Sequence, residues 1–288
     1  MKLITHVLVG LCLVAGLTAQ AKNKFYTHGS VLVPSLHVET NQATKLAYYG
    51  GPVISHVKAV PVFWGASVNT EVQRVMANFY AAYVKSKHMD WLTEYNTNLK
   101  AIDGRDGTNQ VIGQGEATSS ILIQPILTSK KITDVEIQKE IEMQIDAGNL
   151  PRPDSNTLYM IHFPQDVQIS IEGMSSCFSF GGYHNGFKGA KYGDTFYAVL
   201  PDCSFTSGGQ SSLSSTTFVA SHELIEAVTD AFPTPGSSPA YPQAWNDAGG
   251  NEIADLCTAG GGKLATSGQE FTISLEWSNS RNSCYNGE

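Results

Sequence analysis

TTFVASHELIEAVTD, residues 216–230, is the stretch around which the chain organises. Thr216 or Thr217 offers a side-chain oxygen that can cap a helix, and the run continues without glycine or proline to about Thr229. On a helix, His222 and Glu226 are four residues apart and share one face, with Phe218, Val219 and Ile225 as neighbours. A histidine and a carboxylate aimed into apolar surroundings need a partner, because an unpaired buried charge is costly. A divalent metal ion is one such partner, and a plain i,i+4 ion pair is the other.

Upstream, helix-forming and strand-forming patterns are interspersed. VKAVPVFW (residues 57–64) reads as a buried strand in which Pro61 signals an edge or a bulge. Asn69 or Thr70 caps a helix whose apolar stripe is Val72, Val75, Met76, Phe79 and Tyr83. Residues 120–126 form an apolar strand. Thr133 and Glu136 have capping-box spacing, Ile137, Ile141 and Ile145 follow at four-residue steps, and Gly148 closes that helix. Residues 157–163 (TLYMIHF) and 195–200 read as buried strands. The glycines at 181, 182, 186 and 189 give the stretch between them the character of a loop, as does the Gly/Ser/Gln-rich run at 204–215. The expected fold is α+β: a single globular domain over residues 46–288, with a mixed sheet and packed helices. Residues 22–45 form an irregular N-terminal arm.

Residues 1–21 have the layout of a secretory signal peptide. Lys2 is basic, an apolar run follows to Leu17, and Ala19-Gln20-Ala21 carries small residues for cleavage before Lys22. The remainder, about 267 residues, offers no further span of about 18 apolar residues. The expectation is a secreted protein with no membrane association after cleavage. The net charge of −8, without basic runs, argues against nucleic-acid partners and anionic membranes. Removal of the signal takes Cys12 with it and leaves Cys177, Cys203, Cys257 and Cys284, an even count that reads as two disulfides in an exported chain. Of three pairings, Cys177–Cys203 and Cys257–Cys284 is preferred, since each closes a loop of roughly 25 residues. The absence of C-x₂₋₄-C spacing argues against a four-cysteine zinc site.

The segment His222-Glu223-Leu224-Ile225-Glu226 resembles the H-E-x-x-H helix of zinc peptidases, with Glu226 in place of the second histidine. In that comparison His222 and Glu226 are metal ligands. Glu223, which projects about 100° away, is the catalytic base that takes a proton from the attacking water. Roughly 25 residues on, NEIADLC (251–257) supplies further acids. Zinc peptidases of this type take a third ligand from a glutamate at about this distance and support the first histidine with a nearby aspartate. The resemblance therefore implies Glu252 as ligand and Asp255 as the residue that orients His222. Asp230 and Asp247 are alternative ligands. One histidine with two carboxylates is a harder donor set than is usual for zinc, which leaves Ca²⁺ and Mn²⁺ open beside Zn²⁺. Tyr241, Trp245 or His184 could lend an oxyanion contact. His162 reads as a satisfied strand histidine and His184 as a surface loop residue. No G-x-S-x-G supports a serine hydrolase, and no phosphate loop is present.

Three further stretches carry a family resemblance. They are YYGGPV (48–53) with the following VPVFWG strand (60–65), the helix region from Leu127-Thr128 through Ile132-Thr133-Asp134 to AGNLP (147–151), and the run of Cys177, His184 and Cys203. They resemble the phosphate-induced protein, or EXORDIUM-like, family of extracellular proteins across residues 46–285. That resemblance implies secretion and a shared fold. Plant members are apoplastic and linked to growth regulation, and they carry a degraded version of the segment around Ser221 to Asp230.

The reading from sequence is a secreted metal-dependent hydrolase with a zincin-like active-site helix, a zinc endopeptidase acting on a peptide or protein substrate. The alternative is a non-catalytic extracellular binding or signalling protein of the EXORDIUM-like type, in which His222, Glu223 and Glu226 are structural.

Overall fold

Two apolar runs, KAVPVFW and TLYMIH, do not alternate with polar residues, and strands of this kind require cover on both faces. The computed structural model describes residues 45–204, 212–233, 238–257 and 260–287 and supplies that cover. The chain enters at β1 (Ala47–Tyr48) and runs through β2 (Lys58–Trp64), α1 (Thr70–Tyr83) and the short α2 (Lys87–Asp90) to β3 (Glu116–Ala117) and β4 (Ile121–Ile123). Next come β5 (Lys131–Thr133), α3 (Asp134–Asp146), β6 (Thr157–His162), β7 (Gln168–Ile171) and β8 (Met174–Ser175). Then follow β9 (Tyr183–Gly189), β10 (Gly193–Leu200) and the long α4 (Ser212–Thr229). After α4 the elements are β11 (Trp245–Asn246) and the hairpins β12–β13 (Gly262–Thr266, Gln269–Ile273) and β14–β15 (Glu276–Ser278, Ser283–Tyr285).

The main sheet has the order β3-β2-β6-β10-β9, with β4 beside β2 as its sixth strand. Strands β3, β4, β2, β6 and β10 are parallel and β9 is antiparallel. Register fixes which side chains share a face: Tyr159 of β6 lies between Val60 of β2 and Tyr197 of β10, and Ile161 between Val62 and Val199. These side chains pack with Ile137, Ile141 and Ile145 of α3. The opposite face carries Phe63, Leu158, Met160, Phe196 and Ala198, against Phe79 and Tyr80 of α1 and Leu224 and Val228 of α4. Among the described residues there are four α-helices, and they cover both faces of a mixed α/β sheet. The mixed sheet with packed helices and two disulfides matches the expectation. Its largely parallel core goes further than an α+β reading implies.

Several local expectations meet the structure directly. Asn69 caps α1, its side chain accepting from Glu71 N and Val72 N. Thr133 and Glu136 form the full capping box of α3, and Gly148 takes the left-handed conformation that ends it (φ 77°). The disulfides are Cys177–Cys203 and Cys257–Cys284. At sequence separations of 26 and 27, each contributes about 3 kcal/mol by loop closure.

Four expectations are corrected. The glycine stretch after residue 181 is strand β9, not a loop. Pro61 sits within an interior strand, in the interval between β3, which pairs with Lys58 and Ala59, and β4, which pairs with Val62 to Trp64. The absent proline N–H thus falls where that side of β2 has no paired strand. The strand at 120–126 shrinks to β4. Helix α4 begins a turn earlier than Thr216, and Thr217 does not cap it: its hydroxyl donates to Ser214 O (3.3 Å) and Thr272 O (2.7 Å). The signal segment, Cys12, residues 22–44 of the arm and residues 205–211 of the Gly/Ser/Gln run lie outside the described residues.

Candidate metal centre

Helix α4 is buried on every side from Thr217 onward, as befits a helix without a polar stripe. Its functional side chains are therefore held rather than solvated: His222, Glu223 and Glu226 are each 1% exposed. The helix is tied to the chain behind it by Ser221, whose Oγ donates to Phe218 O and accepts from Ser274 N, both at 2.8 Å.

Strand β9 brings a second histidine to this face. In extended chain, residues 182, 184 and 186 point the same way, and two of the three are glycine. A Cβ on Gly182 would lie 2.5 Å from Val219 Cγ1 and 3.0 Å from Glu223 Oε1. A Cβ on Gly186 would lie 2.7 Å from Ala231 O. The glycines let β9 press against α4 and its C-terminal exit, so His184 is the side chain that enters the gap between them. It is buried, with Nδ1 3.5 Å from Glu223 Oε2 and 3.9 Å from Glu226 Oε2. Its Nε2 is 3.3 Å from Glu252 Oε1 and 3.0 Å from the carbonyl of Asp230.

The third contribution comes from residues 251–257. Asp247 accepts from Gly249 N and Asn251 N and so forms the turn that directs the segment inward. Ile253 and Ala254 are buried, Trp277 N donates to Ile253 O, and the Cys257–Cys284 disulfide anchors the end. Glu252 is 1% exposed, and its N–H donates to Asp255 Oδ2. Asp255 N donates to Glu226 Oε1 (3.1 Å). His222 Nε2 lies 3.2 Å from Glu226 Oε1 and 3.7 Å from Asp255 Oδ1.

Two groups of three donors converge, each with its ligand atoms within 4.8 Å of one another: His184, Glu226 and Glu252, and His222, Glu226 and Asp255. The sequence-derived trio of His222, Glu226 and Glu252 is divided between them, with Glu226 in both. Asp255 meets the same His222 nitrogen as Glu226, rather than the far side of the ring. Asp230 contributes its backbone carbonyl, while its carboxylate accepts from Ala244 N and Asn246 Nδ2. Asp247 is occupied by its own turn. Of the proposed oxyanion donors, Tyr241 is exposed under the Arg105 guanidinium and Trp245 packs between Tyr48 and Tyr95. His162 is a satisfied strand histidine, bonded to the Tyr80 hydroxyl at 3.0 Å, and burial pushes its pKa down to about 3.

Charge is the dominant feature of this centre. Glu223, Glu226, Glu252 and Asp255 face two imidazoles, so the acids outnumber the bases that could neutralise them. The lysine and arginine ion pairs among the described residues are surface pairs such as Lys130–Asp166 and Lys191–Asp146, and none reaches these acids. Burial alone would lower the pKa of His184, but Glu252, Glu223 and Glu226 outweigh it and hold the ring well above its ordinary value. Burial likewise opposes, and Glu226 and Asp255 overcome, the charging of His222. Burial pushes Glu226 well up, against the pull of His222. Glu223 Oε1 is buried and accepts no hydrogen bond. Such a centre relieves itself by sharing protons or by taking up cations, and its imidazole and carboxylate donors suit a first-row divalent ion.

Family models, curated proteins and solved structures return no match to this chain. No helix among the described residues is long and apolar enough to cross a membrane, and the two disulfides point to an oxidising compartment.

Proposed function

We propose that this chain is a secreted metal-dependent hydrolase, with Zn²⁺ as the expected ion and a peptide or protein as substrate. One observation carries the reading. Four buried or nearly buried carboxylates and two imidazoles converge without a lysine or arginine among their described partners, and Glu223 keeps an unpartnered oxygen in their midst. His184, His222, Glu226, Glu252 and Asp255 form the cage. A divalent ion there supplies Lewis acidity toward a carbonyl and favours ionisation of water. Glu223 stands outside both donor groups, beside His184, and serves as the base that accepts the proton of the attacking water. α4 is then the zincin-like helix of the sequence reading, with Glu226 standing where a second histidine is usual. The EXORDIUM-like resemblance supports export and does not assign chemistry.

The burial of all these side chains favours one second reading: an extracellular binding or signalling protein in which the ion is structural. Glu223→Gln separates the two. In a hydrolase it retains the metal and loses about 10²–10⁴-fold in turnover, the usual worth of a general base, whereas His222→Ala lowers metal content and activity together. Metal analysis and a casein, gelatin and peptide-library digest provide the measurements. A metal-loaded wild type that cleaves nothing in the library refutes the hydrolase, and full activity in Glu223→Gln refutes the assignment of the base.

A further inference from the structure

Glu226 uses its two oxygens in different directions. Oε1 faces His222 Nε2 at 3.2 Å and accepts from Asp255 N, while Oε2 faces His184 Nδ1 at 3.9 Å. Each histidine has its own second acid: Glu252 lies 3.3 Å from His184 Nε2, across the ring from the nitrogen that faces Glu226, and Asp255 lies 3.7 Å from His222 Nε2; in each set one ligand atom per residue lies within 4.8 Å of the others. The result is two sets of one imidazole and two carboxylates, fused at a single carboxylate. We infer that the centre holds two divalent cations bridged by Glu226, one with His184 and Glu252, the other with His222 and Asp255. The inference rests on the metal-dependent reading above and deepens it.

Charge balance points to the same number. With all four carboxylates ionised and both imidazoles neutral, as metal ligands are, one divalent ion leaves two negative charges and two divalent ions cancel all four. Uncompensated buried charge is costly in a protein interior, so a second ion removes a large penalty. Glu223 adds an independent sign. Its side chain is 2% exposed, Oε2 lies against the His184 ring, and Oε1 is buried without a hydrogen-bond donor. Glu223 stays outside both donor groups, and cations held in them would balance its charge from beside the His184 ring. One imidazole with oxygen donors is a hard ligand set, suited to Mn²⁺ and Fe²⁺ as well as Zn²⁺.

The test counts ions. Chelator-treated full-length protein is titrated with Zn²⁺ and, separately, with Mn²⁺, and bound metal is measured by elemental analysis and native mass spectrometry. Two ions per chain are expected. His184→Ala and Asp255→Asn each reduce the count to one, because each damages one set, and Glu226→Ala loses both. Circular dichroism of the metal-free variants checks that they fold. The Mn²⁺ form of the wild type needs no variant: a spin-coupled pair signal in electron paramagnetic resonance is expected. A single ion in the wild type, or loss of all metal in His184→Ala while the protein remains folded, overturns the two-ion centre and leaves a one-ion hydrolase standing. No metal bound under any condition overturns the metal-dependent reading itself.

Discussion

Gly182→Ala tests how β9 reaches the centre. The added methyl would meet Val219 Cγ1 at 2.5 Å and Glu223 at 3.0 Å (Oε1) and 3.3 Å (Cγ). Real Cβ atoms do not approach this closely, so either β9 or α4 must give way. Val219 is β-branched on a helix and has one strongly preferred rotamer, and α4 is enclosed on every side there. The strand is therefore the element that moves. Overpacking of this kind costs about 1–3 kcal/mol. At roughly 2–4 °C for each kcal/mol, that lowers the melting temperature by several degrees. The displacement also carries His184 away from Glu226 and Glu252, and displaced supporting groups cost metal sites about 10–100-fold in affinity. Thermal denaturation of the metal-free protein and Zn²⁺ titration read the two effects separately. Adding Val219→Ala removes the closest contact, so the two substitutions should couple favourably by about 0.5–3 kcal/mol in the cycle. A Gly182→Ala protein with wild-type melting and wild-type affinity, or a strictly additive cycle, refutes the close-approach argument.

Two further predictions concern stability. Burial raises the Glu276 carboxyl to about 8 from its ordinary 4.5, so between those values the native state holds a proton that the unfolded chain has released. The stability Glu276 contributes is complete below pH 4.5 and is lost as pH rises to about 8, by up to roughly 5 kcal/mol. Glu276→Gln keeps an acceptor for Tyr83 and Ser274 and should flatten that decline; urea unfolding at pH 5 and pH 8 checks it, and an unchanged slope counts against the assignment. Cys257→Ser/Cys284→Ser frees the end of the Asp255 segment and should cost about 3 kcal/mol by chain unfolding. Metal affinity should fall with it, and unchanged affinity would show that the disulfide does not position Asp255.

The helix carrying His222, Glu223 and Glu226 was legible because it is local: four-residue spacing alone puts two donors on one face. The disulfides were legible from cysteine count and spacing. His184 was not, because glycine normally signals a turn and four of them cluster at 181–189. The usable signal was the period of two in Gly182, His184 and Gly186, a strand face bare except for one imidazole. Its meaning depends on α4 lying against it, and that is a tertiary fact. The peptidase resemblance makes Asp255 a support behind His222, while in the folded chain it shares the nitrogen that faces Glu226. Sequence spacing gives the distance along the chain but not the side of a ring from which an acid arrives.

The two cross-links and the acid-rich centre belong to one physical problem. Only Glu223, Glu226 and His222 sit on a helix that its own packing holds in place. His184 comes from an edge strand, and Glu252 and Asp255 come from a segment whose regular structure is a single 3-10 turn, Asp255–Cys257. Mutual repulsion among four carboxylates acts to push those outer contributors away when no cation is present. Cys177–Cys203 joins the chain just before β9 to the chain just after β10, which closes the unit that delivers His184. Cys257–Cys284 fixes the segment that delivers Glu252 and Asp255. Each bond stabilises the whole fold by about 3 kcal/mol through loop closure in the unfolded chain, and each also holds an outer contributor in place. On the proposed metal-binding reading, the two disulfides help to assemble this centre, and reduction should loosen the outer donors while leaving α4 in the core.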